Sequence, residues 1–291
     1  MRSAATPGLG ARVTASLGRR ACEVTRNVQA GGYRIFSALD RDGPEPAAGQ
    51  FYMLATEAGW SAEEGRPYLA RAFSVADCEP GPEGVRLDFL VHAVGPATRR
   101  LCALGEGERL WLHGPLGRPF APPAELAPVT AGAILVGGGI GIAPLALWRR
   151  RLAGAGIPSR VLLGFRDSER SGGLDLFRCS EIKLASEDGH RGHHGHVTDL
   201  LEVMLEGDDA GSAAVYACGP PAMLEAVRLL CREHGVACEL ALEAPMACGF
   251  GACFGCAVPL AGGGYMRLCV DGPVVGGEEI ETALVPGGGG H

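Results

Sequence analysis

Ala133-Ile134-Leu135-Val136-Gly137-Gly138-Gly139-Ile140-Gly141 is a short run of strand formers that breaks directly into glycines. A helical pattern from Pro144 to Ala153 follows, so the run reads as a buried strand, a tight turn and a helix. Arg160 to Phe165 reads as a second strand. Ala213 to Cys218 reads as a third, leading through Gly219-Pro220-Pro221 into a helix over Ala222 to Glu233. Such alternation, from about Ala131 to Cys238, predicts a parallel sheet with crossover helices. Gly137, Gly138, Gly139 and Gly141 would let backbone approach a pyrophosphate at a helix N-terminus, where negative charge is favoured. Tight packing can demand the same glycines, and the spacing departs from the dinucleotide fingerprint G-x-G-x-x-G. Gly219 would lie at the same sheet edge, where ligands bind in open α/β sheets, although a purely structural turn would look alike.

Upstream, from about Ala21 to Phe120, the pattern is different. Gln50 to Leu54, Ala72 to Val75 and Val85 to Val91 are runs of β-formers, separated by turn clusters such as Glu79-Pro80-Gly81-Pro82-Glu83-Gly84. Short strands at this spacing predict a closed or nearly closed barrel. One helix is expected over Thr98 to Leu104, with Thr98 as its N-cap. Arg71-Ala72-Phe73-Ser74 sets a cation, a ring and a hydroxyl on one strand. A flavin needs all three, and an ordinary edge strand explains them equally well. Gly95-Pro96-Ala97-Thr98, ahead of a helix, is a second anion-binding candidate. Pro122, Pro123 and Pro128 mark a linker between the two regions.

Downstream, Cys248, Cys253 and Cys256 form a C-x4-C-x2-C run, and Cys269 follows after twelve intervening residues. This is the plant-type spacing for a [2Fe–2S] centre. Four thiolates must converge on two irons, so three come from one curled loop and the fourth from a returning segment. Gly249, Gly251 and Gly255 let the loop curl and leave its N–H groups free for the sulfurs. Zinc knuckles pair two C-x2-C hooks, and only one is present here.

Net charge −7 argues against nucleic acid as the main partner, because phosphate neutralisation needs clustered Lys and Arg. No run of about 18 apolar residues exists, so no segment is expected to span a membrane as a helix. Residues 1–20 carry Arg2, Arg12, Arg19 and Arg20 without an acid or an amphipathic pattern, and read as a disordered extension rather than a transit peptide. Seven dispersed cysteines (Cys22, Cys78, Cys102, Cys179, Cys218, Cys231 and Cys238) sit mostly beside apolar residues, as buried free thiols would. Together with one metal site they point to a reducing cytoplasm.

In order and spacing these pieces resemble the electron-transfer subunit of B-type dihydroorotate dehydrogenase, a ferredoxin-reductase-like flavoprotein. The resemblance runs from about Ala21 to Ile280. Its marks are Arg71 to Val75, Gly114-Pro115-Leu116-Gly117, Gly137 to Pro144, Ser186 to Gly189 with Val197 to Asp199, Val215 to Pro220, Leu242-Glu243 with Met246 to Cys256, and Cys269 to Pro273. It implies a multi-domain β plus α/β fold: an FAD-binding β-barrel over 21–122, an NAD-binding parallel α/β domain over 123–238 and a [2Fe–2S] subdomain over 239–291. Carried over by position, Arg71, Ala72, Phe73 and Ser74 would line the flavin and its phosphates. Leu90, Val91 and His92 would flank it, and Ala97 and Thr98 would meet its pyrophosphate. Three positions depart from the pattern: Ala72 replaces the usual Pro, His92 a common Arg and Ala97 the usual Gly. Cys218 would sit near the nicotinamide, or be a small buried thiol.

The resemblance further implies electron relay from an FMN-containing catalytic subunit that oxidises dihydroorotate, through the cluster and FAD to NAD⁺, in a heterotetramer of two of each chain. No residue of this chain need touch orotate. Phe250 and Phe254 are candidate partner-facing residues, or pack inside the subdomain. The competing reading is an NAD(P)H–ferredoxin or hydrogenase-type reductase subunit. Such ferredoxin:NADP⁺ subunits characteristically place Asp at the first cluster-ligand position, whereas this chain has Cys248. A complete ferredoxin domain, as in oxygenase reductases, would not fit in the last ~50 residues. His190, His193, His194 and His196 invite a zinc reading, but the resemblance places them in an Asp-Gly-rich turn. Arg149-Arg150-Arg151 and Arg99-Arg100 are expected to be solvated helix faces.

Overall fold

A computed structural model describes residues 9–60, 67–127, 132–177, 181–207, 212–285 and 287. Pro128, Ala131 and Cys179 lie outside the described residues. Six antiparallel strands, β1 (Arg20–Ala30), β2 (Tyr33–Asp40), β3 (Phe51–Thr56), β4 (Arg71–Gly81), β5 (Gly84–Val91) and β6 (Arg109–Leu116), close into a barrel in the order β1-β2-β5-β4-β3-β6. Helix α1 (Pro96–Cys102) crosses between β5 and β6. It starts two residues earlier than expected, with Gly95 as N-cap. Thr98 sits in the first turn, where its Oγ1 accepts the Gly95 N–H at 2.9 Å, the reciprocal half of a capping box. The Glu79–Gly84 turn cluster shrinks to Pro82-Glu83, because pairing of β4 with β5 runs on through Gly81↔Gly84.

All six residues of β3 are buried, which a strand with one wet face would not show. Tyr52 and Leu54 belong to the core shared by the barrel interior and one face of the second sheet. Phe51 and Met53 join the core that includes Cys256 and Cys269. Period-two alternation thus gives β3 two dry faces.

After α2 (Pro123–Leu126), the second sheet comprises β7 (Gly132–Gly138), β8 (Ser159–Phe165), β9 (Ile182–Ser186), β10 (His193–His194), β11 (Ala213–Cys218), β12 (Cys238–Ala241) and, after the C-terminal hairpin β13 (Ala257–Pro259)–β14 (Tyr265–Arg267), β15 (Val274–Gly276). Its order is β10-β9-β8-β7-β11-β12-β15, parallel except for the antiparallel β15. Helices α3 (Ile142–Gly154), α4 (Val197–Leu205) and α5 (Pro221–Glu233) connect its strands. The boundary expected at residue 238 falls inside this sheet, since β12 extends it and β15 returns from the cluster segment to pair with β12.

Two expectations give way to packing. Arg150 and Arg151 are not a solvated face: Arg150 pairs with Asp77 at 2.9 Å, and Arg151 bridges to Glu45, whose residue is buried. They bolt α3 to the barrel. Of the extension expected over 1–20, residues 1–8 lie outside the described residues, and residues 9–19 have no regular structure yet lie against the barrel. Leu9 packs on the core, Gln50 Nε2 donates to Val13 O at 2.8 Å and His113 Nδ1 meets Gly18 O at 2.7 Å. The other end of the barrel docks through backbone: Gly32 N–H donates to Ser171 O at 2.8 Å, and a Cβ on Gly32 would lie 1.7 Å from Glu169 O. No helix among the described residues is long and apolar enough to cross a membrane.

Candidate functional site

The cluster loop curls on glycines in the left-handed region, Gly249 (φ 78°) and Gly251 (φ 87°), and Phe254 joins them at φ 58°. A Cβ on Gly249 would stand 2.6 Å from Met53 Cγ, so the loop seats directly on the outer face of β3. The four thiols are arranged as two pairs. Cys248 contacts Cys253, and Cys256 contacts Cys269, whose N–H points at Cys256 Sγ at 3.5 Å. Burial pushes the Cys248 thiol up, but N–H groups of Cys253, Phe250 and Ala252 and the Cys253 thiol outweigh it and lower it to about 6. Burial and the neighbouring Cys256 push Cys269 up to about 12, opposed by the Gly251 N–H. No three His, Cys, Asp or Glu side chains among the described residues gather into a single-ion cage. Two thiol pairs ringed by backbone donors fit a binuclear cluster better than a lone tetrahedral ion. The histidines likewise form no such cage. His193 Nε2 instead meets Asp199 Oδ2 at 3.0 Å.

A cleft of about 670 Å³ opens at the carboxyl ends of β7, β8 and β11. The chain leaves β7 toward β8 and later returns to β11 on its other side, so the cleft lies at the sheet's topological switch point. Gly138, Gly139, Gly141 and Gly219 line it. Their reasons differ. A Cβ on Gly141 would meet Gly219 Cα and N at 2.6 Å, so the two turns touch backbone to backbone. Gly139 (φ 55°) faces open space, its nearest contact being Tyr33 Oη at 3.7 Å, which leaves a cradle for a phosphate. Gly137 lies behind the cleft, where a Cβ would stand 2.9 Å from Ile142 and Leu163 side chains. Cys218 is also behind it, 3% exposed, and burial and the Glu243 carboxylate push its thiol well up. Arg166, Arg170, Thr198, Met223 and Glu243 line the cleft as well. Of these, the sequence marks only Thr198 and Glu243, as points of resemblance without a role. Arg166 follows a strand end directly, which is the signal that could have found it.

The barrel rim connects these places. Arg71 and Ala72 are exposed and Phe73 and Ser74 half-buried at the start of β4, which pairs with β3 through Met53↔Ala72 and Tyr52↔Phe73. Arg71 Nη1 donates to Leu69 O at 2.6 Å. Leu90 and Val91 are buried at the end of β5, whereas His92 is half-exposed, packs edge-on against Tyr33 at 5.4 Å and lines the cleft. Ala97 is buried, and the Thr98 hydroxyl is turned to its own helix start, where it engages both the Gly95 N–H and C=O, while the space beside Gly95 is open, with nothing within 4 Å of a Cβ there. A cation, a half-exposed ring and an open turn on one rim fit a flavin dinucleotide.

The family model for the iron-sulfur cluster binding domain of dihydroorotate dehydrogenase B matches residues 243–281. The chain is 34% identical to the dihydroorotate dehydrogenase B (NAD⁺) electron transfer subunit of Caldanaerobacter subterraneus subsp. tengcongensis, over 82% of this chain and 88% of that one. It is 35% identical to the probable equivalent of Methanopyrus kandleri, over 80% of each. Among solved structures, a chain of an NADH-dependent reduced ferredoxin-NADP oxidoreductase superposes with TM-score 0.75 at 29% identity, covering 90% of both chains. Phthalate dioxygenase reductase shares the fold at TM-score 0.57 and 19% identity, over 91% of this chain and 96% of that one. With two curated relatives above 30% identity over most of their length, and the cluster domain matched on the loop that seats its thiols, the chain belongs to the family of dihydroorotate dehydrogenase B electron transfer subunits.

Proposed function

We propose that this chain passes electrons from a catalytic partner subunit to NAD⁺, closing the oxidation of dihydroorotate to orotate in pyrimidine synthesis. One observation carries the reading. The loop of Cys248, Cys253 and Cys256 sits on β3, the strand β4 that carries Arg71 to Ser74 is the neighbour of β3, and the rim residue His92 lies on the wall of the glycine-lined cleft. The three candidate sites would therefore be consecutive along one barrel rim. Cys248, Cys253, Cys256 and Cys269 would hold the cluster; Arg71 to Ser74, with Leu90 to His92, Ala97 and Thr98, would hold FAD; and Gly138, Gly139, Gly141 and Gly219 would hold NAD⁺, with Gly137 and Cys218 packed behind them. When bound, the cluster supplies single-electron transfer, and FAD converts between single electrons and a hydride. The chain itself orients these groups and keeps water out from the β3 side.

The partner in this reading is an FMN-containing dihydroorotate dehydrogenase, in an assembly of two copies of each chain. It would meet the Phe250 and Phe254 side of the loop, where the two rings are 49% and 63% exposed. A cytoplasmic setting fits the free cysteines of the described residues. The second reading, a ferredoxin-linked reductase subunit, is favoured by the likeness to the ferredoxin-NADP oxidoreductase chain. Co-purification from the native host separates the two. A dihydroorotate-oxidising partner and dihydroorotate-dependent NADH formation are expected. Recovery of a ferredoxin-linked flavoprotein, without that activity, would move the chain to the second reading.

A further inference from the structure

Away from the cleft, the rim and the cluster loop, two more cysteines have been brought together. Cys231 lies in the last turn of α5, and Cys238 is the first residue of β12. The return between them is tight: Val236 N–H donates to Cys231 O at 2.8 Å, and Gly235 turns in the left-handed region at φ 65°. The thiols are in hydrogen-bond contact, and both are free. Cys231 is fully buried, while Cys238 keeps a partly exposed edge. Gly277, on the turn after β15, closes over Cys238 so nearly that a Cβ there would lie 2.4 Å from its Sγ. Arg228 stands one helical turn before Cys231, buried and paired with Glu225 at 2.6 Å.

We propose that Cys231 and Cys238 are a modification site, a dithiol that closes reversibly to a disulfide under hydrogen peroxide. The chemistry divides the roles. The Cys231 S–H donates to Cys238, and after the opposing effect of burial the Gly277 N–H and the Arg228 charge add to it, lowering the Cys238 thiol. The same contact and burial push Cys231 up, so it stays protonated. Cys238, more acidic and more accessible, is the nucleophile. Its thiolate attacks one peroxide oxygen, the O–O bond breaks, hydroxide leaves and Cys238 becomes a sulfenic acid. The Cys231 sulfur then attacks the Cys238 sulfur, forming S–S and releasing water as the Cys231 proton joins the departing hydroxyl. Two thiols lose two electrons, and one peroxide becomes two waters. A thiol reductant reverses it. The pair lies on no cofactor-binding wall described above, so the inference stands whichever redox partner the chain serves.

Peptide mapping of the intact, cofactor-loaded protein tests it. After brief, limiting peroxide, free thiols are alkylated and the chain is cut with trypsin and a glutamate-specific protease. Cleavage after Arg228, Arg232, Glu233 and Glu239 isolates Leu229–Arg232 and His234–Glu239. A linked pair of these peptides, lost on treatment with dithiothreitol, is expected. It should form about tenfold faster or more than any oxidation of Cys102, a half-buried thiol whose proton burial holds on. In C231A, Cys238 should stop at the sulfenic acid and be captured by dimedone. Should that variant fail to fold, the wild-type map decides alone. Cys238 driven to sulfinic acid with Cys231 still alkylatable would overturn the proposal, as would oxidation of the cluster cysteines before any linked peptide appears.

Discussion

At the scale of single residues, Glu239 is the least comfortable charge in the sheet. It is fully buried on β12, accepting the Ala121 N–H at 2.8 Å with Arg118 at 3.6 Å, and burial outweighs both and raises its carboxyl to about 7. An acid raised on folding binds its proton more tightly in the native state. Its contribution is therefore fully present below the unfolded value near 4.5 and lost as pH rises through about 7. Glu239→Gln should thus raise the unfolding free energy at pH 8 by an amount on the order of 1–3 kcal/mol, read as a higher melting temperature, and change little at pH 5. A uniform shift at both pH values would show that the ionised form is not the source. Gly141→Ala is a steric test of the two glycine turns. Its methyl would meet Gly219 backbone at 2.6 Å, so we expect a loss of about 1–3 kcal/mol and a raised KM for NADH in dye reduction, with the cluster absorbance intact.

At the scale of elements, the joint between α3 and the barrel rests on charges with little access to water. Arg151→Met would leave the Glu45 carboxylate buried without its guanidinium and should cost about 3 kcal/mol, read as a lowered denaturation midpoint. Adding Glu45→Leu should recover much of that loss, because a buried pair replaced by apolar groups is often neutral. This joint also marks what one-dimensional patterning conveys. Strands with concentrated β-formers, such as Ala213–Cys218, were legible to the residue. Strands β1 and β9 mix charged outward residues with a few buried ones, and no run announces them. The segment matched by the cluster-domain model was legible because its pattern is local: three cysteines fall within nine residues. Contacts between distant segments left no such trace. Nothing near Tyr33 predicts that its hydroxyl donates to Arg170 O, 137 residues away, and nothing near Arg150 predicts Asp77.

At the scale of the whole molecule, the exposed rings on the cluster loop separate internal electron transfer from delivery by a partner. Phe254 is exposed in the left-handed region, which Asp tolerates, and the Arg267 guanidinium lies over its ring at 5.1 Å. Phe254→Asp should leave NADH-driven dye reduction unchanged and lower dihydroorotate-dependent NADH formation about tenfold or more, as loss of a central aromatic anchor does. Equal loss in both assays would place Phe254 in the fold of the loop instead.

The thiols also divide by depth. Cys253 is exposed and Cys248 half-buried, whereas Cys256 and Cys269 are buried against the β3 side. A cluster held by these four would corrode from one flank, with dioxygen and chelators expected to reach the Cys248–Cys253 side first. A separated chain stored in air should bleach sooner than the assembled complex, with the partner serving as its lid. Colour retention over hours then becomes a plain bench assay for assembly.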